Sequence, residues 1–292
     1  MIEVNGVCKT YGARRVVDDV SFSAPDGAIT GFVGPNGAGK STVLRMIAGL
    51  TSPDSGAVRI GGQRFVDAPA PASAMGVFLS AEWIPPAASA RAVLKYVAES
   101  QGITSDAVRD ALELVGLSHV ATRRVRTFSL GMRQRLGIAA ATLARPRVLL
   151  LDEPVNGLDP EGISWLRTYL RQVAESGATV LLSSHHMAEL SQIADRVVML
   201  DKGRVMQENS LRRVVARAEP EVFAIAPEPD IVRSALASAG YITQGAGDGF
   251  VVKAAHPLDV GRIAFETGVG LTHLEAATRT LEEVYFEMAR NE

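Results

Sequence analysis

The chain has 292 residues, 47% of them hydrophobic, and a formal net charge of −2. This length allows one large globular domain and a small second one, and the near-neutral charge argues against nucleic acid as a ligand. The single cysteine, Cys8, excludes an internal disulfide framework and a cysteine-rich metal site, and it favours a reducing, cytoplasmic compartment. Because no stretch of about 18 uncharged apolar residues occurs, and Met1 starts no leader-like segment, we expect no membrane span.

The first 65 residues alternate short β-rich runs with glycine turns, which predicts a strand-rich beginning. One of these runs, residues 29–33, comes directly before the sequence GPNGAGKST. Apolar residues at helical spacing come after this sequence. A G-x-x-x-x-G-K-[ST] pattern between a strand and a helix is the signature of a phosphate-binding loop. The predicted strands are residues 2–7, 16–23, 29–33 and 58–60.

Each residue type in this loop suits the binding of nucleotide phosphates. Its glycines let successive backbone N–H groups converge on phosphate oxygens at the start of a helix. Lys40 would reach the β- and γ-phosphates, and the hydroxyl of Ser41 would complete the shell of a Mg²⁺ ion. The predicted contacts to the nucleotide are Gly34, Pro35, Asn36, Gly37, Ala38, Gly39, Lys40, Ser41 and Thr42.

From about residue 85 to residue 145 the apolar residues take helical spacing, which predicts a helical subdomain. Strand-like runs return at residues 148–151, 180–182 and 197–200, separated by the helix-length segments 161–175 and 186–194. Continuous apolar strands that alternate with helices indicate a parallel sheet covered on both faces.

The run Val148–Leu151 ends in two acids, Asp152 and Glu153, which is the form of a Walker B element. Because adjacent residues on a strand point to opposite faces, we expect the two acids to have different tasks. Asp152 could then hold Mg²⁺, directly or through water, while Glu153 faced the attacking water.

After residue 215 the pattern changes, and residues 216–292 read as a separate small α+β domain. Its runs predict the order strand, helix, strand, strand, helix, strand, helix, with residues 245–249 as a hairpin turn. The last helix has an apolar face that would either seal a homodimer or complete the domain's own core. The face consists of Leu281, Val284, Tyr285 and Met288.

Further short motifs make residues 2–215 resemble the nucleotide-binding subunit of ABC transporters, and a similar signature variant occurs in their drug and antibiotic exporters. Tyr11 matches the aromatic residue of the A-loop, which stacks on adenine in that family. Residues 128–134, Phe-Ser-Leu-Gly-Met-Arg-Gln, resemble the ABC signature, with Ser129 and Gly131 retained but leucine and methionine in place of a glycine and the glutamine. Ser129 could bond a γ-phosphate.

The same resemblance assigns two motifs after the Walker B acids. Residues 157–159, Gly-Leu-Asp, match the D-loop and include Asp159, and His185 matches the switch histidine, with His186 beside it. His185 would contact the γ-phosphate, and Glu153 would polarise the water. Lys40, Glu153 and His185 are therefore the candidate catalytic residues.

The motif that departs most from the family is the Q-loop. Alignment of residues 75–80 with the family strand that ends in glutamine places Ser80 at the glutamine position. Either Ser80 orients a water bound to Mg²⁺, or the side chain of Glu82 extends to the Mg²⁺ site. Trp83 follows in a region that faces the membrane subunit in this family, and it would be either an exposed docking residue or a buried one.

The resemblance implies an α/β fold of the P-loop NTPase type: a parallel-sheet core, an N-terminal antiparallel β subdomain, a helical subdomain and the small C-terminal domain. It implies an ATP hydrolase that uses ATP and Mg²⁺. Because the family's signature meets the γ-phosphate of a second chain, it implies a homodimer or a paralogous heterodimer. The dimer would drive a separate membrane permease from the cytosolic face, exporting a small molecule. The alternative is a soluble ABC ATPase that acts on nucleic acid or ribosomes.

Overall fold

The computed structural model of the chain describes residues 1–216, 221–277 and 280–290, without the side chains of residues 215, 216, 277 and 290. The chain forms two compact units, Met1–Leu211 and Arg212–Glu292. The boundary proposed from sequence, after residue 215, falls inside a helix that spans Leu211–Ala216, and the residues that follow this helix lie outside the described part.

The first unit contains two sheets. Strands β1, β2 and β4 form an antiparallel sheet in the order β2-β1-β4. Six further strands form the order β5-β6-β7-β3-β8-β9, in which every neighbouring pair is parallel except β8 with β9. The strands are β1 Ile2–Tyr11, β2 Arg14–Ala24, β3 Ile29–Val33, β4 Ser55–Ile60, β5 Met75–Phe78, β6 Val148–Leu151, β7 Thr179–Ser184, β8 Arg196–Asp201 and β9 Arg204–Ser210.

The central strands β3, β6 and β7 are buried along their whole length. Through Phe32, Leu150 and Leu181, one face of the sheet packs in a core that also contains residues of the antiparallel sheet and of the first helix. This confirms the fold class. The parallel strands also bring their carboxyl ends to one edge, where the loops after β3, β5, β6 and β7 meet. The helices of this unit are α1 Lys40–Ile47, α2 Pro71–Ala74, α3 Ala90–Ser100, α4 Ser105–Leu114, α5 Leu130–Thr142, α6 Pro160–Glu175 and α7 Met187–Ser191.

Helices α3, α4 and α5 form the predicted helical subdomain around its own apolar core. Leu94 and Leu136 are fully buried in this core, together with Val115 and Phe128. Helix α7 is shorter than the segment predicted for it, 186–194, because the chain turns back at residues 192–194 to enter β8.

Helix α5 packs closely on strand β5 because two glycines leave room for the contact. A Cβ on Gly76 would lie 1.8 Å from the backbone oxygen of Ala141, and a Cβ on Gly137 would lie 2.0 Å from the ring of Phe78. Neither position tolerates a side chain without a shift of the backbone or of the ring. This contact fixes α5 relative to the strand that leads to Ser80.

In the described residues of the second unit, two helices cover one face of a four-stranded antiparallel sheet in the order β11-β12-β10-β13. The hairpin turn is tighter than predicted, because Ala246 pairs with Gly249 and only two residues separate the strands. Three residues of the last apolar face, Leu281, Val284 and Tyr285, are buried within the single chain. The elements are α8 Leu211–Ala216, β10 Glu221–Ile225, α9 Pro229–Ser238, β11 Ile242–Ala246, β12 Gly249–Lys253, α10 Pro257–Glu266, β13 His273–Ala277 and α11 Leu281–Arg290.

In the part of the chain that the structure describes, no helix combines the length and the apolar character that crossing a membrane requires.

Gly76→Ala should destabilise the first unit, because the new methyl group would overlap the carbonyl of Ala141. Overpacking of this kind costs about 1–3 kcal/mol of the free energy of unfolding. Thermal unfolding followed by circular dichroism measures the change. The matched control is Gly245→Ala, since a Cβ there has no atom within 4 Å. Equal transition midpoints for the two variants would contradict the tight contact between α5 and β5.

Candidate nucleotide site

The phosphate loop connects β3 to α1, as the motif requires. Gly37 and Gly39 have φ angles of 83° and 105°, which side chains of L-residues rarely allow. A Cβ on Gly34 would lie 2.2 Å from the backbone oxygen of Leu200, so this position also excludes a side chain. The backbone therefore curls before Lys40, the first residue of α1. The loop can present its N–H groups to a phosphate at the positive end of the helix.

Lys40 is held within the loop. Its side chain is only 6% exposed, and its ammonium donates hydrogen bonds to the backbone oxygens of Gly34, at 2.7 Å, and Pro35, at 3.2 Å. The same nitrogen lies 3.6 Å from a carboxylate oxygen of Glu153. A buried ammonium with carbonyl partners can attract phosphate oxygens.

Asp152 and Ser80 lie at the ends of two neighbouring strands. The N–H of Asp152 donates to the carbonyl of Phe78 at 2.8 Å, which continues the pairing of β6 with β5 for one more residue. The hydroxyl of Ser183, at the end of β7, donates to the carboxylate of Asp152. The hydroxyl of Ser80 accepts the N–H of Glu82 at 3.1 Å, and Glu82 itself is exposed.

These groups suit a small hard cation. Carboxylate and hydroxyl oxygens are the ligands of Mg²⁺, which keeps several waters and takes few ligands from the protein. In the described residues no group of three or more His, Cys, Asp or Glu side chains could hold a metal. Asp152, Ser41 and Ser80 remain the candidate ligands.

Glu153 does not continue strand β6, which ends at Leu151. Its φ of 48° is left-handed, so the alternation of side chains along a strand, which the sequence argument used, does not apply to it. Instead, its N–H donates to the hydroxyl of Ser183 at 2.9 Å. Ser183 thus orients both acids of the pair, one through its donor and the other through its acceptor.

The carboxylate of Glu153 lies between the imidazole of His185 and the ammonium of Lys40. One oxygen is 2.8 Å from Nδ1 of His185, and the other faces the ammonium of Lys40. The backbone N–H of His185 also donates to the first oxygen, at 3.4 Å. The side chain is 21% exposed, which leaves it open to a water molecule. A carboxylate oriented in this way can act as a general base.

The two histidines differ in their contacts. His185 touches Glu153, whereas the N–H of His186 donates to the hydroxyl of Ser184 at 2.9 Å. Their rings are in contact, with centroids 3.9 Å apart and planes tilted by 40°. The ring of His185 therefore contacts the site directly, whereas His186 lies beside His185.

Tyr11 lies at the end of β1 with 49% of its surface exposed. The ammonium of Lys9 lies 5.7 Å from the centre of the Tyr11 ring, within the range of a cation–π contact. Lys9 also donates to Asp54 at 2.7 Å, and this bond, with one from the N–H of Thr10, holds the pKa of the Asp54 carboxyl below its ordinary value. The ring can still accept an adenine by stacking.

Ser129 caps the N-terminus of α5, and its hydroxyl accepts the N–H of Met132 at 3.2 Å. Gly131 lies in the first turn of this helix, where a Cβ would come within 2.8 Å of the oxygen of Gly157. Asp159 caps α6 and accepts the N–H of Gly162 at 2.7 Å. These three residues line a cleft of about 360 Å³.

A second cleft, of about 370 Å³, lies beside the phosphate loop. It is lined by Pro35, Asn36, Gly37 and Ala38 of the loop, and by basic residues that include Arg15 and Lys202. The two clefts share no lining residue. Within one chain, the phosphate loop and the signature therefore open into different spaces.

Trp83 is exposed, with 59% of its surface accessible, so the docking alternative for this residue fits the structure better than the buried one. Tyr96 on α3 is 75% exposed. Both aromatic side chains belong to the region between β5 and the signature.

Sequence reasoning gave no role to two residues that shape the site. No local motif marks Ser183, because its contact with the acids depends on β7 lying next to β6 in the sheet. Gln134 is 6% exposed, and its amide donates to the carbonyl of Asn156 at 3.1 Å. The only signal for Gln134 was its place in the signature helix.

The chain is similar to known proteins of one family. Residues 17–156 match the family model described as ABC transporter. The uncharacterized ABC transporter ATP-binding protein YcbN of Bacillus subtilis (strain 168) is 37% identical, over 78% of this chain and 75% of that protein. The bacitracin transport ATP-binding protein BcrA of Enterococcus faecalis is 32% identical, over 99% of this chain and 96% of that protein.

A solved structure extends the similarity to the fold. It is the dimeric, post-hydrolysis state of an ATP-binding cassette bound to ADP and Pi. The match has a TM-score of 0.64 and 25% identity, and it covers 73% of this chain and 99% of that chain. The chain therefore belongs to the ATP-binding proteins of ABC transporters, the subunits that bind and hydrolyse ATP.

Proposed function

We propose that two copies of this chain, or one copy and a paralogous partner, enclose two ATP molecules and drive a separate membrane permease that exports a small, drug-like molecule. The dimer would sit on the cytosolic face of the membrane. It would close on ATP and open after hydrolysis, and the permease would convert that movement into transport.

The observation that carries the dimeric site is the separation of the two clefts. The phosphate loop lines one cleft and Ser129 lines the other, with no residue in common. In a head-to-tail dimer, Ser129 of one chain would meet the γ-phosphate held by Lys40 of the other chain. A head-to-tail pairing of two chains would supply both halves twice.

Within such a site the chain's own residues divide the work. Lys40 and the loop amides hold the β- and γ-phosphates and stabilise the charge that develops on the transferred group. Glu153 orients and polarises the attacking water, while His185 positions the carboxylate and contacts the γ-phosphate. Mg²⁺, held by Ser41 and Asp152 with Ser80 nearby, would neutralise charge on the phosphates.

Two observations support a permease as the partner. Trp83 and Tyr96 present exposed aromatic surface on the region that faces the membrane subunit in this family. The relative BcrA, which this chain matches along nearly its whole length, is a bacitracin transport protein. Its name supports an antibiotic-like compound as the transported molecule.

Glu153→Gln should lower the rate of ATP hydrolysis about 100-fold or more, because an amide cannot accept the proton of the water. ATP binding should persist, since the phosphate loop is unchanged, and the dimer should accumulate with ATP bound. Phosphate release and gel filtration measure the two effects. Glu175→Gln, at an exposed position of α6, is the control and should keep normal turnover. Near-normal turnover of Glu153→Gln would refute the assignment.

Mixing two inactive variants tests whether the site is shared between chains. Glu153→Gln chains and Ser129→Arg chains should each be inactive, yet their mixture should recover part of the activity. A mixed dimer has one site with an intact Glu153 from one chain and an intact Ser129 from the other. Chains that carry both substitutions, mixed with Glu153→Gln chains, have no intact site and serve as the control. No recovery in the first mixture would argue against a composite site.

Affinity purification from detergent-solubilised cells tests the partner. We expect a polytopic membrane protein to copurify with the chain, and Trp83→Glu to reduce its recovery. Val66→Glu is the matched control, because Val66 is 63% exposed and Trp83 is 59% exposed. Stable recovery with ribosomes or DNA, without a membrane protein, would favour the nucleic-acid alternative.

A further inference from the structure

Leu130, one of the two residues that depart from the family signature, makes a contact that a glycine could not make. Leu130 is the first residue of α5, and its side chain lies over Gly157 in the D-loop. A Cβ on Gly157 would lie 2.4 Å from Cδ2 of Leu130 and 2.5 Å from its Cγ. The leucine therefore covers the face of Gly157 on which a side chain would stand.

Two more residues of α5 touch the same segment. A Cβ on Gly131 would lie 2.8 Å from the oxygen of Gly157, so the helix backbone approaches the D-loop backbone closely. One turn further along, Gln134 donates from its amide to the carbonyl of Asn156, at 3.1 Å. Leu130 and Gln134 are four residues apart and so lie on the same face of the helix.

The segment held in this way begins at Glu153. The amide of Gln134 also lies 3.5 Å from the carbonyl of Glu153. Residues 153–158 form a turn in which the N–H of Asn156 donates to Glu153 and the N–H of Leu158 donates to Val155. The start of α5 therefore supports both the turn that carries the base and the loop that continues to Asp159.

We propose that Leu130 is a positioning residue for ATP hydrolysis: packed on Gly157, it fixes the D-loop against the start of the signature helix. The inference rests on the proposed composite site, in which Ser129 and Asp159 act at the interface between chains. Leu130 touches no nucleotide in this role. Its effect on turnover passes through Gly157 and the turn that begins at Glu153.

The test is a double-mutant cycle on the full chain, with ATP turnover as the readout. Leu130→Ala should lower kcat about tenfold and change the KM for ATP little, since a small displacement at the reacting centre costs rate and the phosphate loop stays intact. Leu130→Met, which keeps a long apolar side chain, should retain most of the rate.

Gly157→Ala should also lower kcat, because its methyl group collides with Leu130 and its φ of 74° disfavours a side chain. In the double variant Leu130→Ala, Gly157→Ala, the two closest atoms of the leucine are gone and the new methyl group fills part of their space. The double variant should therefore turn over faster than Gly157→Ala alone. If the fold losses in kcat of the two single variants simply multiply in the double variant, the two residues act independently and the proposal is overturned.

Two controls separate this contact from other causes. Leu114→Ala removes a leucine that is 46% exposed, close to the 43% of Leu130, and it should leave kcat unchanged. Binding of a non-hydrolysable ATP analogue and the thermal midpoint should stay near wild type in Leu130→Ala, as a positioning role requires. A loss of analogue binding equal to the loss of rate would instead show general damage to the fold, and it would contradict the proposal.

The outcome for Glu153→Gln keeps the two proposals distinct. If Glu153→Gln is inactive and the cycle shows independent effects, the site assignment stands and the role of Leu130 fails. If Glu153→Gln retains turnover, the proposed site itself fails.

Discussion

The contact of the Glu153 carboxylate with Lys40 and His185 joins three segments of the first unit. Lys40 follows β3, Glu153 follows β6 and His185 follows β7, and these strands are neighbours in the order β6-β7-β3. Because the strands are parallel, their carboxyl ends meet at one edge, and the three side chains need only short loops to converge. The order of the strands and their short loops thus bring together the proposed base, the imidazole beside it and the proposed phosphate-binding cation.

The helical subdomain reaches the same edge from outside the sheet. Helix α5 is fixed at one end by its close packing on β5, at Gly76 and Gly137, and at its start it touches the turn after β6 through Gln134. Ser129 caps this helix, so a displacement of Ser129 would move the start of α5 and, through Gln134, the turn that carries Glu153. Such a path would relate contact with a second chain to the geometry of the base.

Sequence reasoning recovers the parts of the site that depend on neighbouring residues. The phosphate loop and the acids after β6 each follow from a local pattern, and the parallel sheet follows from continuous apolar strands. The histidine after β7 follows from the family resemblance. Sequence reasoning cannot recover the role of Ser183, which depends on which strand lies next to β6. It also assigns the wrong cause to the orientation of Glu153, because the strand ends before this residue and its backbone is left-handed.

The left-handed backbone of Glu153 has a consequence for how the protein balances folding against activity. A glutamate at a φ of 48° carries about 1–2 kcal/mol of steric cost, which a glycine at the same position would not have. The contacts to Ser183, His185 and Lys40 hold the residue there despite this cost. Under the proposed role of Glu153 as the base, stability and turnover are opposed at this residue, because a glycine would relieve the steric cost and remove the carboxylate.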